Sequence, residues 1–114
     1  MKITEVKAIY PKWRTAFPKE AWQAHFWQIA VRVDTDVGVV GHGYGGGGKP
    51  AVHVINDHLR QFLLGRSINS VEDISDLWDE LYRVSIPYGR GGLTQMALSG
   101  IDLALWDSLS RAER

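Results

Sequence analysis

Apolar and polar side chains alternate along the first part of the chain, which is the period of a β-strand. The segment from Ile3 to Tyr10 is a short strand candidate, and strict alternation places Ile3 on the face opposite Val6. Residues 26–34 alternate more cleanly and predict a second strand. The turn DTDVG follows it, so we expect the second and third strands to form an antiparallel hairpin.

Helical periodicity replaces this alternation after residue 50. Pro50 suits the first turn of a helix, and Gly65 is expected to end that helix. Ser70 with Asp73 three residues later is close to a capping box and predicts the start of the next helix. The last helix is expected to begin at Leu93 and to end near Arg111. Its small residues would permit close approach of another helix; they are Ala97, Gly100 and Ala104.

Together these elements predict an α+β fold in a single domain, residues 1–114. A three-stranded antiparallel meander (about 1–10, 25–35 and 38–44) is followed by a bundle of three to four helices (about 50–64, 70–85 and 91–111). Residues 11–24 have no clean period and contain two prolines, so they are expected to form a long insertion between the first two strands.

Composition excludes several classes of function. The apolar fraction of 45% and charged fraction of 23% are those of a globular protein, and the net charge of zero provides no basic field for nucleic acid or acidic membranes. Absence of cysteine excludes disulfides, thiolate metal sites and cysteine nucleophiles. No apolar run approaches the roughly 20 residues that cross a bilayer. We therefore expect a cytoplasmic protein with no nucleic-acid or membrane partner.

The sequence GHGYGGGGKP at residues 41–50 partly matches two phosphate-binding patterns. A P-loop requires Ser or Thr after its lysine, and Pro50 stands there instead. Both patterns also require a parallel βαβ unit, whereas this segment follows an antiparallel hairpin. We expect no nucleotide site. His42 and Tyr44 interrupt the glycines, which favours a mobile loop from Gly41 to Gly48 that closes over a ligand.

The most specific motif is MALSGIDLALWDSLSRA at residues 96–112. It resembles the helix that ends the N-terminal domain in the mandelate racemase/muconate lactonizing enzyme branch of the enolase superfamily. The order of elements is also similar over essentially the whole chain. The stretch YGRGGLTQMALSGIDLALWD is most similar to acid-sugar dehydratases of this branch. Tyr44 stands where many members carry Glu.

This resemblance implies a capping domain that is catalytically incomplete. In the family, three carboxylates hold Mg²⁺ on a C-terminal (β/α) barrel, which also carries the Lys or His bases. The implied partners are that barrel, a small carboxylate or sugar-acid substrate, and further copies of the full-length protein. The metal chelates the substrate carboxylate, a base removes the α-proton, and a dehydratase then expels the β-hydroxyl. These 114 residues would supply no catalytic residue and no metal ligand.

By the same resemblance, the insertion and the Gly41–Gly48 segment would close over the barrel mouth. The candidate substrate-binding or lid residues are Trp13, Arg14, Trp22, His25, His42 and Tyr44. Arg14 could donate to a polyol or carboxylate, whereas the two tryptophans could equally anchor the insertion. Asp102 and Asp107 lie five positions apart on one helix and point in different directions. We interpret them as interdomain or capping contacts, not metal ligands.

Two alternatives remain open from the sequence. The same family includes racemases and cycloisomerases, which share the abstraction of the α-proton. A chain of 114 residues could also be a stand-alone ligand-binding or interaction module.

Overall fold

The computed structural model describes residues 1–11 and 28–114. Strands β1 (Ile3–Ile9), β2 (Ile29–Thr35) and β3 (Val40–Gly45) form an antiparallel sheet in the order β1-β2-β3. Helix α1 consists of Gly48–Val54, a π-helical turn Ile55–Leu59 and Arg60–Leu63. Helix α2 is Val71–Ser85 and is extended by a 3₁₀ turn, Ile86–Tyr88. Helix α3 is Leu93–Ala112. The α+β architecture, a meander followed by helices, is confirmed.

A register shift in β1 corrects the expected orientation of Ile3. The pairing of Ile3 with Thr35 and of Glu5 with Asp34 leaves an extra residue in β1. This bulge turns Ile3 to the buried face, where Val6 also lies, although strict alternation places them on opposite faces. In β2 the alternation is regular, and Ile29, Val31 and Val33 are all buried.

The hairpin between β2 and β3 is confirmed. The Thr35 backbone N–H and hydroxyl both donate to the carbonyl of Val39, and Gly38 adopts a left-handed φ of 81° in the turn. At the start of α2, the Ser70 hydroxyl accepts the N–H of Asp73. The Asp73 carboxylate accepts the N–H of Asn69, one residue before Ser70. The predicted cap at Ser70 is confirmed, but the return bond does not go to the cap residue, as it would in a capping box.

Helix α3 lies directly on β3 because glycines line the contact. A methyl group on Gly43 would lie 2.4 Å from the Gly100 carbonyl oxygen and 2.5 Å from the Ala104 nitrogen. A methyl group on Gly45 would lie 2.4 Å from the carbonyl oxygen of Met96. The small residues of α3 therefore serve close helix–strand packing, and the expectation of helix–helix packing is wrong for this face.

Asn56 of helix α1 binds to β1, which is an edge strand of the sheet. Its side chain accepts the N–H of Ala8 at 2.8 Å and donates to the carbonyl of Ala8 at 2.9 Å. Both backbone hydrogen-bonding groups of this edge-strand residue therefore have a partner. The carboxylate of Glu5 binds Arg60 on the same helix through both oxygens. Together these contacts fix the position of β1 close to the point where residues 12–27 begin.

Candidate functional site at one end of the sheet

Three chain segments meet at one end of the sheet. Ile9, Ala30 and Tyr44 are neighbours across the three strands, because Ile9 pairs with Ala30 and Ala30 pairs with Tyr44. Strand β1 ends here, β2 begins here, and β3 leads here into α1. The described residues that flank 12–27 thus lie beside the β3–α1 connection. Four candidates lie outside the described residues: Trp13, Arg14, Trp22 and His25.

The other two candidates, His42 and Tyr44, lie on the outer face of β3, which the helices do not cover. Tyr44 is 62% exposed. His42 pairs across the sheet with Arg32, and Arg32 pairs with Lys7, so three basic side chains form a row beside Tyr44. A shallow cleft of about 300 Å³ borders this row. The structure therefore brings His42 and Tyr44 together on an exposed surface with hydrogen-bonding capacity.

The glycine-rich segment is not the open loop that the sequence suggested. Strand β3 continues to Gly45 and α1 begins at Gly48, so the connection consists of Gly46 and Gly47. Gly47 has a φ of 93°, and a methyl group there would lie 2.7 Å from the Cβ of Ala51 and 2.9 Å from Leu93. The expectation of a mobile Gly41–Gly48 loop is wrong because most of these glycines are packed against helices.

Helix α1 also starts two residues earlier than expected, with Pro50 in its third position. The first turns of α1 and α3 adjoin, because Gly47 lies against Leu93 and Met96 of α3. Neither helix has an acidic residue in its first turn or a side-chain cap. This end of the domain consequently carries two uncapped helix N-termini close to the exposed Tyr44.

The position of His42 is fixed through its backbone by Asp107. The carboxylate of Asp107 accepts the N–H of His42 and the Nε of Arg111, both at 2.8 Å. The His42 amide, assisted by Arg111, holds the pKa of Asp107 below its usual value. Asp107 is thus a contact within the domain, clamping α3 onto β3. The suggestion of an interdomain contact is unnecessary to explain this residue.

We predict that Asp107→Asn destabilises the domain and weakens its acid dependence. A carboxylate whose pKa is lowered on folding contributes stability above its unfolded pKa, near 4, and loses that contribution as pH falls through its folded pKa. The amide variant should unfold about 1 kcal/mol more easily at neutral pH, and the deficit should shrink toward pH 2. Urea titrations between pH 2 and 7 check this. Asp76→Asn, at an exposed carboxylate of α2, is the control; an equal deficit at both pH limits would contradict the prediction.

Within the described residues, no group of three His, Asp or Glu side chains is placed to hold a metal ion. Nor does this part of the chain contain a helix whose length and apolar character would suffice to cross a membrane.

Sequence comparison agrees with this architecture. The profile for the N-terminal domain of mandelate racemase/muconate lactonizing enzyme matches residues 3–114. The chain belongs to this family. A relative from Caldivirga maquilingensis, whose name assigns it provisionally as an L-rhamnonate dehydratase, is 35% identical over 105 residues, which cover 91% of this chain and 25% of the relative. L-rhamnonate dehydratase from Saccharopolyspora erythraea is 34% identical over 105 residues, covering 91% of this chain and 26% of that protein.

The fold is likewise similar to solved structures. Rhamnonate dehydratase from Gibberella zeae, crystallised with Mg, superposes with a TM-score of 0.81 at 25% identity, over 98% of this chain and 34% of that one. The 114 residues thus span about a quarter of the length of the curated relatives they match. The resemblance proposed from the last helix is confirmed, as is the N-terminal-domain fold of the enolase superfamily.

Proposed function

We propose that this chain is the substrate-specificity and active-site-closing domain of a Mg²⁺-dependent acid-sugar dehydratase. The observation that carries the proposal is the identity of 34% over 105 residues to a protein named L-rhamnonate dehydratase. Since the matched region is only about a quarter of that protein, the chemistry is assigned to a C-terminal (β/α) barrel in a longer polypeptide. When bound in that barrel, Mg²⁺ would stabilise the enediolate formed by loss of the α-proton.

The described residues do not fit a Mg²⁺ site, because they contain no group of three suitable ligands. Their contribution is instead to bind and orient. Tyr44 carries a phenol and His42 an imidazole on an exposed strand face, and both side chains can exchange hydrogen bonds with the hydroxyls of a sugar acid. The described residues on either side of 12–27 lie at the same end of the sheet. In this proposal Trp13, Arg14, Trp22 and His25 join the rim formed by His42 and Tyr44 and help to exclude water.

An exposed stripe on α3 is the surface proposed to pack on the barrel. Met96, Leu103 and Trp106 recur at helical spacing and are 41%, 43% and 42% exposed. Three large apolar side chains in one row along a helix are typical of a surface that another polypeptide covers. The stripe borders the side of α3 that packs on β3, where Leu103 adjoins Gly43 and Met96 adjoins Gly46. Its exposed part is available to a second domain.

Kinetics of rim variants in the longer protein test the proposal. Tyr44→Ala should lower kcat/KM for the sugar acid roughly three- to tenfold, because one neutral hydrogen bond is worth about 0.5–1.5 kcal/mol. Arg14→Ala should lower it roughly ten- to a hundredfold, since a bond from a charged donor is worth about 1.5–3 kcal/mol. Exchange of the α-proton of bound substrate should persist in both variants.

Val37→Ala is a matched control. Val37 is 61% exposed, close to the 62% of Tyr44, but it lies in the hairpin turn at the other end of the sheet. We expect it to retain wild-type kinetics. If the Tyr44 and Arg14 variants also retained wild-type kinetics across a panel of sugar acids, this end of the sheet would not face the substrate.

A further inference from the structure

A second cleft, of about 230 Å³, lies between α2 and α3 and away from the rim. Two aromatic and two acidic side chains contribute to it, together with one aliphatic side chain and one hydroxyl. It is lined by Ile74, Ser75, Trp78 and Asp79 from α2 and by Asp102 and Trp106 from α3. Neither the dehydration chemistry nor the rim uses these residues.

Each indole of the cleft has a neighbouring side chain one turn away on its own helix. Trp78 stacks on Tyr82 one turn later, with ring centroids 5.3 Å apart and planes 8° from parallel. The indole of Trp106 lies beside the carboxylate of Asp102, one turn earlier on α3. Trp106 nevertheless remains 42% exposed. The cleft therefore offers accessible aromatic surface, and stacking orients the ring of Trp78.

In residues 1–11 and 28–114, the carboxylates of the cleft have no cationic partner. No ion pair formed among the described residues includes Asp79 or Asp102. Asp102 is half-buried, and this burial raises the pKa of its carboxyl group even though the Trp106 indole acts in the opposite direction. An approaching cation would gain the attraction of both carboxylates, and Asp102 is already partly dehydrated.

We propose that this cleft binds a single guanidinium group, presented by an arginine side chain of the polypeptide that packs on α2 and α3. A guanidinium is planar and weakly hydrated, stacks on aromatic faces and donates to carboxylates in pairs, which matches the indoles and carboxylates that line the cleft. A bare divalent ion fits less well, since Ca²⁺ and Mg²⁺ require about six oxygen ligands.

The choice of occupant follows from charge and from the neighbouring surface. Leu103 and Trp106 belong to the exposed apolar stripe, so a polypeptide covering that stripe would also reach the cleft. Only the source of the arginine, the barrel of the longer protein, rests on the proposed function. The preference of the cleft for a guanidinium does not depend on it.

The first experiment is an NMR titration of the 114-residue chain with N-methylguanidinium, at constant ionic strength. The indole N–H signal of Trp106, assigned with Trp106→Phe, should shift saturably. Neutral N-methylurea, of similar shape, should produce no such shift, and methylammonium should bind more weakly. Asp102→Asn should weaken binding roughly tenfold, because it removes the partly buried charge. Asp76→Asn, on α2 outside the cleft, should bind as the wild type does.

The results separate this inference from the proposed function. A shift with N-methylurea equal to that with N-methylguanidinium, no saturation, or unchanged affinity in Asp102→Asn would overturn the guanidinium site, whatever the rim kinetics show. In the longer protein the Trp106 signal should already lie at the bound position and should not respond to the probe. A full response there would overturn the assignment of the arginine to the same polypeptide, while sugar-acid turnover would still test the proposed function independently.

Discussion

Gly43→Ala should destabilise the domain by roughly 3 kcal/mol or more, at the upper end of the cost of overpacking a core. The added methyl would lie 2.4 Å from the Gly100 carbonyl oxygen, 2.5 Å from the Ala104 nitrogen and 2.9 Å from the Cβ of Leu103. Two of these atoms are backbone, so no side-chain rotation relieves the overlap. Either α3 separates from β3 or the strand bends. Because the free energy of unfolding of a typical domain is only about 5–15 kcal/mol, this substitution would remove a large part of it.

Two matched glycine variants show whether close packing is the cause. At Gly46 an added methyl would meet the flexible end of Met96 at 3.3 Å, which should cost little. At Gly91 nothing lies within 4 Å and φ is not in the left-handed region, so Gly91→Ala should stay within about 0.5 kcal/mol of wild type. Urea unfolding followed by circular dichroism ranks the three variants by their free energy of unfolding. If Gly43→Ala were as stable as Gly91→Ala, the account of the glycine-rich strand would be wrong.

Local periodicity was sufficient to predict most of the fold. The alternation in β2, the turn at Gly38 and the cap at Ser70 each depend on residues within a few positions of one another, and all three are confirmed. The side of the sheet on which Ile3 lies was not predictable in this way. It depends on the bulge opposite Thr35, which is set by pairing with another strand.

The glycine run shows why the candidate site was harder to predict. From sequence, Gly43 and Gly45 suggest conformational freedom, since glycine adopts conformations that other residues avoid. In the structure they are needed because the backbone of α3, more than fifty residues later, lies within van der Waals distance. The spacing of Ala97, Gly100 and Ala104 indicated a close approach, but periodicity alone does not say whether a strand or a helix makes it.

The grouping of aromatic and acidic side chains around the cleft also depends on tertiary packing. Asp79 and Asp102 lie on different helices, and nothing in the local sequence of either indicates that they share a cleft with Trp78. Asp107 could be recognised as part of the motif near the end of α3, but its bond to the His42 amide requires β3 to be placed against that helix. His42 and Tyr44 lie in β3, within the predicted third strand, whereas the mobile loop predicted for the same residues is wrong. Their contact with substrate stays a prediction.

The most direct test of the proposed function is Mg²⁺-dependent dehydration of sugar acids by the longer protein, starting with L-rhamnonate because two relatives carry that name. Loss of the α-proton and then of the β-hydroxyl leaves an enol, which tautomerises to an α-keto acid. The product has two hydroxyls fewer than the substrate, because the β-hydroxyl leaves as water and the α-hydroxyl becomes the keto oxygen. Mass spectrometry of the product, together with deuterium exchange at the α-carbon, distinguishes the possible reactions. We expect the longer protein to remove one water from at least one sugar acid. Chelation of Mg²⁺ should abolish this reaction, and residues 1–114 alone should not catalyse it. Exchange of the α-proton without loss of water would contradict the dehydratase and favour a racemase or cycloisomerase, and turnover by the 114-residue chain alone would contradict its role as a capping domain.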